Sequence, residues 1–237
     1  MNIGKSIKRL RIKNGLTQQQ LADYLNVSMQ TISRWETSVT FPDVFMLPTL
    51  SKLFNVTVDY LLNNGGKVMK AIESRRFLIR EWEESDASKL YKIRWKANYL
   101  QFNTEGDGLN AIKVWMEFQE MYPVILKKTG ELVGIVGLVD VNRYKGYREL
   151  EAYLCEEYDD VDYMTELHKL ILEYGFTEMN LLVVFALCYP DDKVITRAMQ
   201  NVGFVLEGTL RKYGRDMRDG MRYSILRDEY FSFDKVS

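Results

Sequence analysis

The segment TQQQLADYLNVSMQTISRWE, residues 17–36, constrains the fold more than any other part of the chain. Thr17 and Ser28 are residue types that cap helix N-termini, because their hydroxyls accept hydrogen bonds from backbone N–H groups of the first turn. Apolar residues follow each cap at helical spacing, and Asn26 with Val27 interrupts the pattern. The pattern predicts two short helices joined by a tight turn. This is the helix-turn-helix arrangement, whose second helix enters the major groove of DNA.

Residues 1–62 resemble the DNA-binding domains of the Cro and lambda-repressor family. The resemblance is carried by IKRLRIKNGLTQQQLA, VSMQTISRWE, the turn at Pro42 and the closing string LSKLFNVTVDYLL. It implies an all-α domain of five helices that binds double-stranded DNA. It also implies an ion pair between Arg11 and Glu36, which ties the first helix to the end of the recognition helix.

The same resemblance assigns a set of residues to the DNA interface. Gln30 is expected to pair with adenine, and Arg34 with guanine or a phosphate. Gln18 is expected to reach a phosphate from a helix N-terminus. Met29 stands where relatives often carry a polar residue, so one base contact is expected to be apolar or absent. The candidate DNA contacts are Gln18, Ser28, Met29, Gln30, Thr31, Ser33, Arg34, Ser38 and Thr40.

Apolar spacing, capping residues and a helix-breaking proline predict the remaining helices of this domain. The first helix is expected over residues 3–13, with Arg9 on its exposed side. Asp43 is expected to cap a fourth helix, and Pro48 to kink that helix or to delay its start. A short fifth helix is expected over residues 56–62.

Charge is distributed unevenly along the chain. Residues 1–66 carry seven basic and four acidic side chains, whereas the remainder carries 25 and 29. The basic excess therefore lies where attraction to a polyanion needs it. The excess is small, so we expect a homodimer that reads two half-sites, with the second domain holding the two copies together.

The spacing of cysteine and histidine and the lengths of the apolar runs argue against metal-binding, membrane-spanning and secreted proteins. Cys155, Cys188 and the single histidine, His168, lack the spacing of metal ligands, so no metal site is expected. No apolar run approaches the roughly 20 residues that span a bilayer. The polar N-terminus has no signal-peptide core. The sequence therefore predicts a cytoplasmic protein without a membrane partner.

The string NNGG at residues 63–66 disfavours both helix and strand, which predicts a domain boundary. We expect a DNA-binding domain at 1–62, a linker at 63–69 and a second domain at 70–237. In the second domain the periodicity predicts a mixed α/β fold. Strands are predicted at 77–79, 122–126, 132–139, 149–154, 181–187, 204–210 and 221–227, and helices at 85–98, 111–120, 163–176 and 192–202.

The second domain resembles the GNAT acetyltransferases, in particular the ribosomal-protein N-acetyltransferase branch. The matching strings are ESRRFLIREWEESDA, ILKKTGELVGIVGL, LHKLILEYGF and NVGFVLEGTLRKYGRDMRDGMRYSILRDEYF, over residues 70–233. The resemblance implies an α/β (α+β) domain with a mixed, mainly antiparallel central sheet.

The chain departs from that family where acetyl-CoA would bind. The family holds the coenzyme A pyrophosphate in a loop of pattern Arg/Gln-x-x-Gly-x-Gly/Ala before a long helix. The loop contains no glycine in this chain, and five of residues 156–162 are acidic. The Asn-x-x-Ser of relatives becomes Asp192 and Ile195 at its two polar positions. The residues of the degenerate loop are Asp159, Asp160, Val161, Asp162, Tyr163 and Met164.

Two hypotheses follow. The first is a transcriptional regulator whose GNAT-like domain is non-catalytic and serves dimerisation or the sensing of a small molecule, with no cofactor expected. The second is an acetyl-CoA-dependent N-acetyltransferase that carries a DNA-binding domain. The weak catalytic candidates are Glu149, Glu151 and Tyr153, which share one face of a strand bordering the active cleft in relatives.

Overall fold

The computed structural model describes residues 3–62, 69–95, 102–118, 120–141, 146–213 and 217–233. Contacts divide the chain into two compact units, Met1–Met69 and Lys70–Ser237. The predicted linker at 63–69 lies outside the described residues except for Met69, whose side chain is buried.

Five helices are described in the first unit, which confirms the predicted all-α fold. Thr17 caps α2 through a reciprocal pair, in which its hydroxyl accepts from the Gln20 N–H at 3.1 Å and the Gln20 side chain accepts from the Thr17 N–H at 2.8 Å. Ser28 caps α3 by accepting from the Thr31 N–H at 3.1 Å. The helices are α1 (Ile3–Lys13), α2 (Gln18–Leu25), α3 (Met29–Glu36), α4 (Leu47–Phe54) and α5 (Val58–Leu62).

The start of α4 shows the effect of Pro48. A 3₁₀ turn over Val44–Met46 precedes the helix, and Pro48 lies in the helix's first turn. Asp43 caps the 3₁₀ turn by accepting from the Phe45 N–H at 2.8 Å. Proline is tolerated there because first-turn N–H groups have no partner within the helix. The late start that the sequence predicted is therefore confirmed.

The core of the first unit receives side chains from all five helices. Its buried side chains are Ile3, Ile7, Leu10, Leu21, Ala22, Leu25, Ile32, Trp35, Leu47, Leu50, Phe54 and Leu61. The prediction that Arg9 faces solvent was wrong, because it is only 3% exposed. Its guanidinium carbon lies 5.3 Å from the ring centroid of Tyr60 in α5. The long arginine stem packs under this short helix, as amphipathic side chains do when apolar surface is close.

Within its described residues, the second unit forms an eight-stranded sheet in the order β1-β2-β3-β4-β5-β6-β8-β7. All neighbours pair antiparallel except β5 and β6, which pair parallel. The mixed, mainly antiparallel sheet is therefore confirmed. The strands are β1 (Ile72–Glu73), β2 (Phe77–Ile79), β3 (Met121–Leu126), β4 (Glu131–Val139), β5 (Tyr147–Leu154), β6 (Val183–Cys188), β7 (Val205–Leu210) and β8 (Gly220–Leu226).

Helices cover this sheet on both faces. On one face, Ala87 and Ile112 from α6 and α7 pack with Ile135 of β4. On the other, a Cβ at Gly175 of α8 would lie 2.8 Å from Leu138 Cδ1, so glycine permits the close approach of helix and sheet. The helices are α6 (Ala87–Leu90), α7 (Glu105–Phe118), α8 (Val161–Thr177), α9 (Lys193–Asn201) and α10 (Arg227–Phe233).

Two predicted helices of the second unit have different bounds. The helix expected over 85–98 ends at Leu90, because Trp95 forms an antiparallel β-bridge with Cys155 and draws the chain into an extended course. Residues 96–98 lie outside the described residues. The helix expected from 111 begins at Glu105, since the Thr104 hydroxyl accepts from the Asp107 N–H at 3.1 Å and Asp107 accepts from the Thr104 N–H at 2.9 Å. Helix α10 was not predicted at all.

Candidate nucleic-acid interface and candidate active site

Helix α3 is fixed by its apolar side and presents its polar side outward. Ile32 and Trp35 are buried in the core. Gln30 and Arg34 are exposed, and their side chains make no hydrogen bond to another described residue. Met29 is exposed beside them, 40% of its surface being accessible. Side-chain amide and guanidinium groups therefore stand uncommitted on one helix, as direct base readout requires.

The end of α3 is tied to α1 by a two-point ion pair. Arg11 Nε lies 2.5 Å from Glu36 Oε1, and Arg11 Nη2 lies 3.0 Å from Glu36 Oε2. Arg11 Nη1 also donates to the Leu16 carbonyl at 2.7 Å. The Glu36 side chain is 2% exposed, so the pair is largely removed from water. Bidentate geometry of this kind fixes the angle between the two helices.

Gln18 has a partner that sequence reasoning missed. Its Nε2 donates to Glu36 Oε2 at 2.8 Å, so Arg11 and Gln18 share one carboxylate. An amide nitrogen has two donors, and the second stays available for a phosphate. The only sequence signal for this contact is that a glutamine stands at the start of α2 in a domain whose resemblance already implies an ion-paired glutamate at the end of α3.

The hydroxyl residues assigned to DNA have mixed environments. Ser28 and Thr31 bond to each other at 2.9 Å between their hydroxyl oxygens, and the pair serves the cap of α3. Ser33 and Thr40 are half-buried. Ser38 is exposed and adopts a left-handed backbone conformation with φ of 59°. The roles of all five as DNA contacts stay predictions.

The start of α8 is where the family's pyrophosphate loop would lie. Asp160 is the N-cap residue, and its Oδ1 accepts from the N–H groups of Asp162 at 2.8 Å and Tyr163 at 2.9 Å. First-turn N–H groups lack partners within a helix and form a ready anion site. A carboxylate of the protein itself already binds two of those donors.

Arg76 fastens this helix start to the sheet. Its Nη2 donates to the Asp162 carbonyl at 2.9 Å, and its guanidinium carbon lies 4.1 Å from the Tyr163 ring centroid. Its Nε lies 2.5 Å from Glu166 Oε2. Partial burial acts to raise the pKa of Glu166, but hydrogen bonds from Ser74 and Arg76 hold it below its ordinary value. The Arg76 side chain therefore braces the loop region rather than standing free for a phosphate.

The remaining positions of the loop also differ from a coenzyme cradle. Met164, where the family has a small residue, is buried in the core. Asp159 follows a 3₁₀ turn over Glu156–Tyr158. Further along the chain, Asp192 caps α9 by accepting from the Ile195 N–H at 3.2 Å. The residues present therefore do not fit the pyrophosphate of coenzyme A.

The weak catalytic candidates lie on β5 where two strands part. The parallel pairing of β5 with β6 runs from Tyr147 opposite Val183 to Glu149 opposite Phe185 and then stops. Glu149, Glu151 and Tyr153 occupy every second position of β5, so their side chains lie on the same face of the sheet. All three residues are half-buried. The structure thus brings all three predicted residues to one row.

Burial and charge perturb both carboxyl groups of that row. Desolvation, with the charge of Glu151, raises the pKa of Glu149 to about 7. Desolvation and the charge of Glu120 raise the pKa of Glu151, which a hydrogen bond from Tyr153 opposes. The Tyr153 hydroxyl is 3.5 Å from Glu151 Oε2. A carboxyl group with a pKa near neutrality is the one feature of this row that suits proton transfer.

The single histidine and the two cysteines are the other groups that could carry chemistry. His168 is buried in α8, its Nδ1 has no partner among the described residues, and burial lowers its pKa to about 4. Cys155 and Cys188 are free thiols. In the described part of the chain, no three His, Cys, Asp or Glu side chains are grouped to hold a metal ion. Nor is any described helix both long and apolar enough to cross a bilayer.

Two family models match the chain. A model described as "Helix-turn-helix" matches residues 7–61, and one described as "Acetyltransferase (GNAT) domain" matches residues 76–205. The transcriptional activator BcrR of Enterococcus faecalis is 41% identical over 63 residues, which cover 27% of this chain and 31% of that protein.

Relatives of the second unit cover it almost entirely. The uncharacterized N-acetyltransferase YnaD of Bacillus subtilis (strain 168) is 31% identical over 170 residues, which cover 67% of this chain and 98% of that protein. The crystal structure of a GNAT-family acetyltransferase from Bacillus anthracis superimposes with a TM-score of 0.60 at 27% identity. That match covers 68% of this chain and 100% of the other.

Proposed function

Because the chain belongs to the GNAT acetyltransferase family and carries a Cro/CI-type helix-turn-helix domain, we propose that it is a sequence-specific transcriptional regulator. In this proposal the GNAT domain does not catalyse acetyl transfer. It serves to join two copies of the chain or to sense a small-molecule effector. The ligand of the first domain is double-stranded DNA, read by α3 with Gln30 and Arg34.

The observation that carries the non-catalytic role is the Asp160 carboxylate at the start of α8. It accepts from the Asp162 and Tyr163 N–H groups, the donors that an incoming pyrophosphate would need. An external anion must therefore displace a carboxylate that is held at high effective concentration by the chain itself. Each like-charge pair a few ångströms apart adds about 1 kcal/mol of repulsion even in bulk water.

The side chains around this cap add to the obstruction. Asp159 and Asp162 flank it, and Glu156 and Glu157 are exposed immediately upstream. Glycine at these positions would let a backbone approach a phosphate closely, and aspartate does not. Arg76 could offset the charge, but it is engaged by Glu166, the Asp162 carbonyl and the Tyr163 ring.

A second candidate function is supported by Glu149. A carboxyl group whose pKa is about 7, at the point where β5 leaves β6, has the protonation behaviour of a general base at neutral pH. This favours an acetyltransferase that carries a DNA-binding domain. It gives the enzyme a base but no site for its cofactor, so the regulator is the stronger proposal.

Two measurements on the full-length protein separate these functions. The first is selection of duplexes from a randomised DNA pool, in which a regulator enriches a defined sequence. The second is calorimetric titration with acetyl-CoA and coenzyme A. Enrichment of a sequence without coenzyme binding supports the regulator, whereas submicromolar acetyl-CoA binding would establish the enzyme. Failure to enrich any sequence would remove the regulator.

A further inference from the structure

The loop between α3 and α4 exposes an unusual amount of apolar surface. Phe45 is 86% exposed, Val44 65%, Val39 64% and Phe41 60%. Single exposed apolar residues are ordinary, but large apolar side chains gathered in one short segment mark an interaction site. The DNA proposal does not use these four side chains, which we name the loop patch.

The loop patch carries both a projection and a recess. A groove of about 290 Å³ is lined in part by Val44, the residue directly before Phe45 in the chain. The bond from the Phe45 N–H to the Asp43 carboxylate fixes the backbone of this turn. The groove is lined by Ile3, Phe41, Pro42, Val44, Leu47 and Leu62.

A projection beside a recess on one surface is the geometry of an isologous contact. In a two-fold symmetric dimer the same patch occurs on both copies, so each copy must offer what the other one needs. Phe45 supplies an aromatic side chain, and the groove supplies apolar walls of a size to receive it. The loop patch and the adjoining groove together satisfy this condition, without a partner of another sequence.

Charge favours a second copy over a charged partner. Asp43 is the only charged side chain between residues 37 and 51, and its carboxylate is used within the turn. Two copies of a domain with a net charge of +3 over residues 1–66 repel each other elsewhere, but not across this neutral patch. An acidic or basic partner would find no complementary charge there.

The place of the loop patch in the chain connects it to DNA. Ser38 and Thr40, two candidate phosphate contacts, alternate with Val39 and Phe41 in the same loop. We infer that Phe45 of one copy inserts into the groove of a second copy, which pairs two helix-turn-helix domains on adjacent half-sites. This inference rests on the proposed DNA-binding function and specifies the contact between the two DNA-binding domains.

The first test compares a two-half-site duplex with a single half-site, both taken from the selected DNA sequence. Phe45→Asp places a charge in the patch at an exposed position. Tyr24→Asp is the matched control, since Tyr24 is 61% exposed on α2 and receives the same charge. We expect Phe45→Asp to lose at least about tenfold in affinity for the two-half-site duplex. Its half-site affinity should equal that of Tyr24→Asp.

The second test does not require DNA. Full-length protein carrying the photocrosslinker p-benzoylphenylalanine at position 45 is irradiated as a mixture of heavy- and light-isotope copies. We expect mixed-isotope cross-links to peptides that contain Leu47 or Leu62. Cross-links within one copy, cross-links to peptides remote from the groove, or none at all would overturn the inference.

The two tests separate failure of the inference from failure of the proposed function. If wild type binds the half-site but Phe45→Asp keeps full cooperativity, the patch is not the contact and DNA binding stands. If wild type binds no half-site, the DNA proposal fails, and the cross-linking result alone decides the contact. A wild type that occupies its selected site as a monomer would leave the patch to another protein and overturn the inference.

Discussion

The Tyr163 N–H donates to Asp160 Oδ1 at 2.9 Å, so a carboxylate of the chain itself binds a first-turn donor of α8. The same carboxylate oxygen accepts from Asp162 at 2.8 Å. The first prediction concerns this cap. In the triple variant Asp159→Arg, Asp160→Gly and Asp162→Gly, coenzyme A should bind at least about tenfold more tightly than to wild type, or ~1.4 kcal/mol. Both donors are then released and the backbone can approach.

The matched control replaces all three aspartates with asparagine. It removes the negative charge but keeps side chains in the way, so coenzyme A binding should improve less than in the glycine-containing variant. Calorimetry of both variants, with thermal shift as a second readout, makes the comparison. Micromolar binding by wild type itself would mean that the cap opens readily, and the non-catalytic proposal would fail.

The second prediction concerns base readout by α3. Gln30→Ala and Arg34→Ala should each weaken binding to the selected DNA by roughly 1–3 kcal/mol and relax one position of the site. The reason is loss of a two-point contact to a base edge. Gln19→Ala is the control, because Gln19 is an exposed glutamine of α2 that bonds to Asp23 at 2.7 Å. Unchanged affinity and unchanged sequence preference in both α3 variants would disprove the assignment.

The third prediction concerns the ion pair of the first unit. Glu36→Gln should destabilise that unit by roughly 3 kcal/mol, since Arg11 would remain largely buried without its counter-charge. Glu73→Gln breaks the ion pair in which Lys127 Nζ lies 2.9 Å from Glu73 Oε2. The Glu73 side chain is 64% exposed, so the loss should cost less than about 1 kcal/mol. Denaturant titration followed by circular dichroism measures both. Equal losses would show that burial does not decide the value of the first pair.

The fourth prediction concerns acid stability. His168 has a pKa of about 4 in the folded chain and about 6.5 when unfolded, so the unfolded state binds more protons between these values. Stability contributed by neutral His168 is therefore present above pH 6.5 and lost as pH falls toward 4, by about 3 kcal/mol. His168→Leu should flatten this slope. Three of the four tryptophans lie in the second unit, so tryptophan fluorescence during urea unfolding follows it.

The fifth prediction carries the opposite sign. Burial and the charge of Glu151 raise the pKa of Glu149 from 4.5 to about 7, so the folded state holds the extra proton between these values. Stability contributed by protonated Glu149 is present below pH 4.5 and lost as pH rises to 7. Glu149→Gln should gain stability relative to wild type over this rise, in the same urea experiment. A variant that tracks wild type would show that Glu149 is ionised in the fold.

The sequence predicted those parts of the fold that local chemistry determines. Thr17 and Ser28 carry hydroxyls next to helical periodicity, so both caps and the turn between them could be placed. Two apolar runs within residues 122–139 flank a turn that contains a glycine, so the hairpin of β3 and β4 could be placed as well. Such signals lie within a few residues of the structure that they specify.

What the sequence did not reveal depends on contacts between distant residues. The extended course at Trp95 exists because Cys155 pairs with it, and no local pattern announces that bridge. Burial of Arg9 depends on Tyr60, and the second bond of Glu36 depends on Gln18. At the candidate site, the acidic loop was visible in the sequence. The sequence did not reveal that the Asp160 carboxylate turns back and binds the N–H groups of the helix.

The contact between Arg76 and Glu166 has a consequence for how the chain acquires its structure. These residues are 90 positions apart, whereas Arg11 and Glu36 are 25 apart. Closing a longer loop costs more entropy before any contact offsets it, and folding slows as sequence separation grows. The first unit should therefore fold while later residues are still being synthesised. The contact between Arg76, directly before β2, and Glu166 of α8 can form only after Glu166 has emerged from the ribosome.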